Sequence, residues 1–274
     1  MTVINTNVSA LRAQNGSRMA NDALSTAMER LSSGKRINSA KDDAAGLAIS
    51  SSMTSQIRGM TQAVRNANDG ISMAQTADGA LDEVTNMLQR IRELSVQAAS
   101  GTYQTSDRTN LQTEVTALAS QITSITANTK FNGVGLFTGS AGSSGTVTIQ
   151  TGSSSGDTVS MDFTALNLSA VSSINIADST GAGATAALTS LDTLITTVGT
   201  KRATLGAAES RLGSVVNNLT SNITNLTDAR SRIEDADFGT ETTNLAKAQI
   251  LSQASTAMLA QANQSQQSVL KLLQ

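Results

Sequence analysis

Few side chains in this sequence could do chemistry, and those few lack the company that chemistry needs. Ser32-Ser33-Gly34-Lys35 has the S-x-x-K spacing by which a lysine can activate a serine nucleophile. No S-D-N or K-T-G companion accompanies it, so nothing completes a hydrolase site. The run from Gly133 through Gly135 to Gly139 is rich enough in glycine to suggest a phosphate cradle. Its third glycine is misplaced and no helix follows, so it reads as a turn. Glu234, Asp235 and Asp237 could gather a cation, yet they lack the alternating oxygen ligands and the glycine of a calcium loop. A hinge with solvated charge is expected there. The Asn-x-Thr triplets at Asn218, Asn222 and Asn225 fall on a helical seam and are read as composition. Cys and His are absent, which removes disulfides, thiol nucleophiles, imidazole bases and the usual zinc ligands. No enzyme, no metal and no cofactor is expected.

What remains is structure, and the composition says of what kind. Of 274 residues 39% are apolar but only 2% aromatic, so any core is aliphatic and built from small side chains. A net charge of −2 gives no electrostatic case for nucleic acid, and no Lys or Arg falls between Lys130 and Lys201. No stretch of 18 apolar residues exists, so no membrane insertion is expected. The opening MTVINTNVSALRAQ lacks the apolar core of a secretory signal.

The tail from Leu245 to Gln274 is the stretch that the rest serves. Leu251, Ser255, Met258, Ala262, Ser265, Val269 and Leu272 recur at alternating steps of four and three, a heptad seam. Between Lys247 and Lys271 there is no charged residue, whereas a solvated helix normally carries charge on its outer face. The tail is therefore expected to lie among protein on most sides. Ordering about 30 residues costs much backbone entropy, and a seam of Ala, Ser and a few Leu is thin repayment within one chain. It should be loose in the monomer and ordered on assembly.

Residues 3 to 33 give a second seam of small residues: Ala10, Ala13, Ser17, Ala20, Leu24, Ala27 and Leu31. This is the natural antiparallel partner of the tail. The pattern breaks at SGKRINSAKDD, where Gly34 is a helix stop and Ser39 with Asp42 resembles a capping box. One long helix is predicted from Ala44 to about Ser100, with Ile57, Met60, Val64, Ala67, Ile71 and Ala74 as its first stripe and Leu81, Leu88, Ile91 and Leu94 continuing it. A further helix, capped by Ser106 or Asp107, carries Leu111, Val115, Leu118, Ile122 and Ile125 and stops near Asn128. The centre, about 131–183, turns rich in Gly, Ser and Thr; TVTIQT and TVSMDF alternate apolar and polar around GSSSGD, a β-hairpin signal. From Leu188 to Ile233 the seam is cleanest, with Leu205, Leu212, Leu219 and Ile223 on it and polar members Arg202, Glu209 and Arg230 that either fix register or pair with facing helices.

The fold class is therefore mainly α: long coiled-coil-like helices from both chain ends and a helical bundle, with a small β-hairpin element in the centre. Two domains are expected, an inner terminal one of residues 1–43 with 234–274 and a bundle of residues 44–233. Leu24, Leu31, Leu251, Met258, Ala262, Val269 and Leu272 are the subunit-packing candidates. Ile57, Val64, Leu88, Leu118, Ile122, Leu205, Leu212, Leu219 and Ile223 are assigned to the bundle core.

These stretches resemble bacterial flagellin. The resemblance is carried by INTNVSAL, ERLSSGKRINSAKDDAAGLAIS, QAVRNANDGISMAQTADGAL, LQRIRELSVQAAS, FNG, SRIEDADFGTETTNLAKAQILSQASTAMLAQANQ and the closing LLQ. It covers roughly residues 1–139 and 188–274. Phe238 stands where the family usually has Tyr, and the short centre lacks the variable outer domains of bigger flagellins. The resemblance implies a self-assembling, extracellular helical homopolymer, the bacterial flagellum filament, whose subunits leave unfolded through a type III apparatus. It further implies an export chaperone on the C-terminal tail, filament cap and hook-associated proteins as neighbours, and an animal innate immune receptor contacting Arg90, Leu94 and Glu114. A hook–filament junction protein shares such helical ends, but the ELSVQAAS and IEDADF stretches favour flagellin. A membrane-active surface protein would need a basic helical face, which the uncharged tail lacks.

Overall fold

The computed structural model describes the backbone of residues 6–271 and the side chains of residues 6–265. Its helices are α1 (Val8–Ser33), α2 (Ala44–Ala99), α3 (Thr105–Asn128), α4 (Ala182–Glu234) and α5 (Phe238–Lys271). Between α3 and α4 lie two strand pairs, β1 (Lys130–Phe131) with β2 (Val134–Gly135) and β3 (Thr146–Gln150) with β4 (Thr158–Asp162), each antiparallel. The fold is mainly α with a small central β element.

Two compact units form, Met1–Ile57 with Thr224–Gln274, and Arg58–Ile223. Boundaries at 43/44 and 233/234 were expected because the helical pattern breaks there. The observed divisions fall inside α2 and α4, the first at 57/58, after its expected boundary, and the second at 223/224, before its own. Both helices run through them unbroken, and neither Ile57-Arg58 nor Ile223-Thr224 contains a helix-stopping residue.

In the second unit, α2 supplies a buried seam that never misses a step. Met60, Ala63, Ala67, Gly70, Ala74, Ala77, Leu81, Val84, Leu88, Ile91, Ser95 and Ala98 are all buried and alternate by three and four. This is the geometry of a helix whose neighbours lie along one stripe. Small residues fill the first half of the seam, so Val64 and Ile71, which bulk alone would place inside, are half-buried at its flank. Gly70 shows why: a Cβ there would lie 3.2 Å from both Ile149 Cγ1 and Leu212 Cδ1. Ser95, buried within the seam, returns its hydroxyl to the Ile91 carbonyl at 2.8 Å. On α4, Leu191, Val198, Leu205, Leu212 and Leu219 are buried, and the alternate seam positions between them are half-buried.

The polar members of that seam have separate roles. Arg202 pairs with the facing helix, its guanidinium 2.8 Å from both Asp78 and Asp82 of α2. Arg230, in the first unit, donates to the Thr54 hydroxyl at 3.3 Å. Glu209 is half-buried, with Oε1 enclosed and no hydrogen-bond partner among the described residues.

The β element is tied to the helices by side chains. Asn66 donates to the Gln150 carbonyl at 3.2 Å, and Lys201 of α4 reaches Asp162 at 2.9 Å and the Thr164 hydroxyl at 2.6 Å. Lys201, the Thr164 backbone N–H and the Thr164 hydroxyl together hold the Asp162 carboxyl down at about 2. The glycine run after α3 is indeed a turn: Asn132 and Gly133 take φ of 49° and 81°, as a two-residue hairpin loop requires.

In the first unit the two breaks in the helical pattern lie side by side. Gly34 ends α1 in the left-handed conformation, φ 70°, with its N–H on the Arg30 carbonyl. The Arg36 N–H then donates to the Glu234 carbonyl at 2.6 Å, and the Ala236 N–H to the Gly34 carbonyl at 2.9 Å. The expected cap of α2 is displaced. Asp42 does accept the Ser39 N–H, at 2.9 Å, but this closes a turn before the helix. Asp43 caps α2 instead, accepting the Gly46 N–H at 2.8 Å. Likewise α3 begins at Thr105, with Gln104 at the cap and Asp107 accepting its N–H at 3.1 Å.

Candidate assembly surface

The three clustered carboxylates have three separate structural roles. Glu234 pairs with Lys35 at 2.5 Å, which also occupies the lysine of the S-x-x-K stretch. Asp235 accepts the Ser231 hydroxyl at 2.5 Å. Asp237 caps α5, taking the Gly239 N–H at 2.9 Å and the Thr240 hydroxyl at 3.0 Å. The Thr240 side chain, and then the Thr240 and Gly239 backbone N–H groups, keep its carboxyl below the ordinary carboxylate range.

What the first unit offers is a surface. Helices α1 and α5 pack antiparallel along their lengths, and their contacts descend in step. Asn7 Nδ2 donates to the Ala262 carbonyl at 3.1 Å, Ser252 donates to Asn21 at 3.0 Å, and Arg30 meets Glu241 at 3.8 Å. A Cβ on Gly16 would stand 3.3 Å from Ser255 Oγ. The helices are close because their facing stripes are small.

On α1 the predicted seam is the inner one, with Ala20 and Ala27 buried and Leu24 and Leu31 half-buried. On α5 it is not. The inner stripe runs through Glu241, Leu245, Ala248, Ser252, Ser255, Leu259 and Ala262, again by four and three, and each of these is buried or half-buried. It shares Ser255 and Ala262 with the expected seam. Leu251 and Met258 stand beside it, exposed, as does Ile250. Bulk misplaces the stripe: the larger residues flank the contact that the smaller ones make. The side chain of Val269 and the whole of Leu272 lie outside the described residues.

The outer face of this helix pair carries exposed apolar side chains, beside charged ones on α1 and next to an uncharged stretch of α5 after Lys247. Val8, Leu11, Met19 and Met28 of α1 and Ile250, Leu251 and Met258 of α5 are all exposed. Two grooves run between the helices. One of about 510 Å³ is lined by Ala13, Gly16, Met258 and Ala262 among others, and one of about 600 Å³ by Met19, Ala23, Ala248 and Leu251, with Arg30 and Glu241 at one end. Exposed apolar side chains collected on one helix pair are the kind of surface that a partner can cover. No described helix is long and apolar enough to cross a membrane.

Comparison with known proteins gives the family of the chain. Residues 4–142 match the bacterial flagellin N-terminal helical region, and residues 188–273 the bacterial flagellin C-terminal helical region. This chain belongs to the bacterial flagellin family. Flagellin is a structural protein of the extracellular flagellar filament, not an enzyme. A flagellin of Serratia marcescens is 42% identical over 99% of each chain. A flagellin of Salmonella muenchen is 52% identical over 59% of this chain, which spans about a third (31%) of that relative's length. The crystal structure of Bacillus cereus flagellin superposes with a TM-score of 0.51 at 34% identity, over 61% of this chain and 94% of that one.

The remaining predicted residues sort by burial. Leu88, Ile122, Leu205 and Leu212 lie in one core cluster with Leu118 half-buried against it, and Leu219 is buried. Ile57, Val64 and Ile223 are half-buried. Arg90 is exposed and bonds Glu114 at 2.9 Å and Glu93 at 3.0 Å. Leu94, expected beside them as a receptor contact, is only 1% exposed. It points into the core of the unit, because the position is one of the inward steps of α2.

One residue escaped sequence reasoning. Arg108 of α3 is 3% exposed and donates to the carbonyls of Ala98 at 2.8 Å, Ser100 at 3.1 Å, Ser179 at 2.8 Å and Asp178 at 3.3 Å. A cation at the C-terminal end of α2 is favoured by the helix dipole. The only signal was an arginine on the first turn of a helix, where acidic residues are usual.

Proposed function

We propose that this chain polymerises with copies of itself into the flagellar filament that drives swimming, using the α1–α5 pair as its contact surface. The observation that carries this reading is the exposed apolar face of that pair, bordered by two grooves and uncharged from Lys247 to Lys271. A face of this kind costs solubility in a lone subunit and gains stability when a sister chain covers it. The same reading makes the tail the segment held by an export chaperone before assembly, since an uncharged apolar helix needs cover at that stage too. Cap and hook-associated proteins would meet the same face at the filament ends.

Seeded growth of purified protein, followed by electron microscopy, tests it. Met258→Asp or Leu251→Asp places an unpaired charge in every subunit contact, at several kcal/mol each, and should abolish filaments. Normal filaments from either variant would overturn the assignment.

Arg90 and Glu114 are the surface at which an animal innate receptor would engage the second unit, as an exposed, preformed ion pair on neighbouring helices α2 and α3. Arg90→Ala should lower receptor signalling without changing filament yield. Unchanged signalling would remove the receptor from the partners.

A further inference from the structure

The methionines of this chain are sorted by unit. In Arg58–Ile223, Met60 and Met73 are each 7% exposed, Met161 is 1% exposed, and Met87 packs half-buried against the core. In the first unit Met19, Met28 and Met258 are 72%, 58% and 62% exposed, while Met53 is half-buried. Met19 lines one groove between α1 and α5 and Met258 the other. Among the described residues, the methionines that are more than half exposed are therefore those of the α1–α5 helix pair.

We propose that Met19, Met28 and Met258 form an oxidation-sensitive modification site, at which peroxide converts the free subunit into one that polymerises only at higher concentration. The step needs only hydrogen peroxide as oxidant. A sulfur lone pair attacks one peroxide oxygen and the O–O bond breaks. The other oxygen leaves as water, taking the proton from the oxygen now on sulfur. Sulfur is oxidised and peroxide reduced by one electron pair. The product is a polar sulfoxide where a flexible apolar side chain stood. A sister subunit would have to desolvate that group without a partner for it. The chemistry is reversed by methionine sulfoxide reductases, one for each epimer, with a dithiol as the reductant that ends as a disulfide while the oxygen leaves as water. Met73 and Met161 are shielded by their burial, so the second unit keeps its fold.

This inference rests on the reading of α1–α5 as the contact surface, and the experiment separates the two. Full-length monomer is treated with dilute hydrogen peroxide, mapped by peptide mass spectrometry and then seeded. Met19, Met28 and Met258 should gain oxygen well before Met73 and Met161. The concentration needed for growth should rise about tenfold or more, the effect of one poorly covered polar group per contact. Treatment with the reductases should return it to its starting value. In the Met19→Leu, Met28→Leu, Met258→Leu variant, treated and untreated samples should grow alike, whatever concentration that variant itself needs. Oxidised protein growing at the untreated concentration, or early oxidation of Met73 and Met161, overturns the inference and leaves the filament assignment standing. Untreated protein that never grows overturns both.

Discussion

Arg108 joins three segments with one side chain: the last turn of α2, the residues that follow it, and the loop before α4. All of its described partners are main-chain carbonyls, so the planar fork serves here as a multiple donor and not as half of an ion pair. Removing it would leave four carbonyls short of a donor around a buried site. Arg108→Ala should therefore cost about 3 kcal/mol, at the upper end for hydrogen bonds to a charged group. Arg108→Lys should recover little of that, because an ammonium cannot spread its donors across the same arc. The midpoint of chemical unfolding measures both. A loss in Arg108→Ala smaller than about 1 kcal/mol would show that water replaces the guanidinium without penalty. Its place on a first helical turn was the one sequence signal, and its partners could not be read there, because Ser179 and Asp178 lie some seventy positions away in the chain.

Elements were far more legible than single residues, and the exceptions share one cause. Heptad spacing located every long helix. The hairpin pairs Thr146 with Asp162 and Gln150 with Thr158, close to where alternation put it, and Gly34 stops α1 as glycine chemistry suggests. The facing stripes were harder. Reasoning from bulk assigned Val64 to the bundle core and put Leu251 on the seam of the tail, whereas Ala63, Gly70, Ala248 and Ser252 occupy the facing stripes. When helices approach closely, the contact belongs to the residues that permit the approach, and larger neighbours are pushed aside. The tie between β4 and α4 could not be read at all, since Lys201 and Asp162 are joined only by the fold. It has a consequence for acid stability. The Asp162 carboxyl, at about 2, lies below the ordinary aspartate value near 4. Its contribution is fully present above that ordinary value and is lost as pH falls toward 2. Because the side chain is half exposed, screening limits the contribution to about 1 kcal/mol or less. Unfolding midpoints measured between pH 5 and 2, on the interval set by those two values, should fall in the native chain and fall less in Asp162→Asn. Parallel curves would mean that the pair adds nothing to stability.

At the scale of the whole chain, the two units differ in what they can do alone. Arg58–Ile223 contains the large core cluster from Ala67 to Leu212, both strand pairs and the Arg108 site. Most of its large apolar residues are covered by its own side chains, with Val96 and Val134 left exposed. In the first unit, by contrast, the α1–α5 contact is made largely by Ala, Ser and Gly with a few half-buried Leu, and the larger residues Met19, Ile250, Leu251 and Met258 face outward. At roughly 25 cal/mol per Å² of apolar area, contacts between methyl groups repay little of the entropy of ordering two long helices. The outward side chains are where the remaining apolar area is available, and only another molecule can cover them. A protein reduced to residues 58–223 should therefore keep its helical circular dichroism and unfold cooperatively, yet form no filaments at any concentration at which the full chain grows from seeds. Full-length monomer should show fast amide exchange along α1 and α5 and slow exchange along residues 60–98 of α2. Both measurements bear on one cause, the placing of small residues inside and large ones outside on the terminal helices. Filaments grown from the reduced protein would show that the second unit carries the contacts, and α1 and α5 would then be dispensable to assembly.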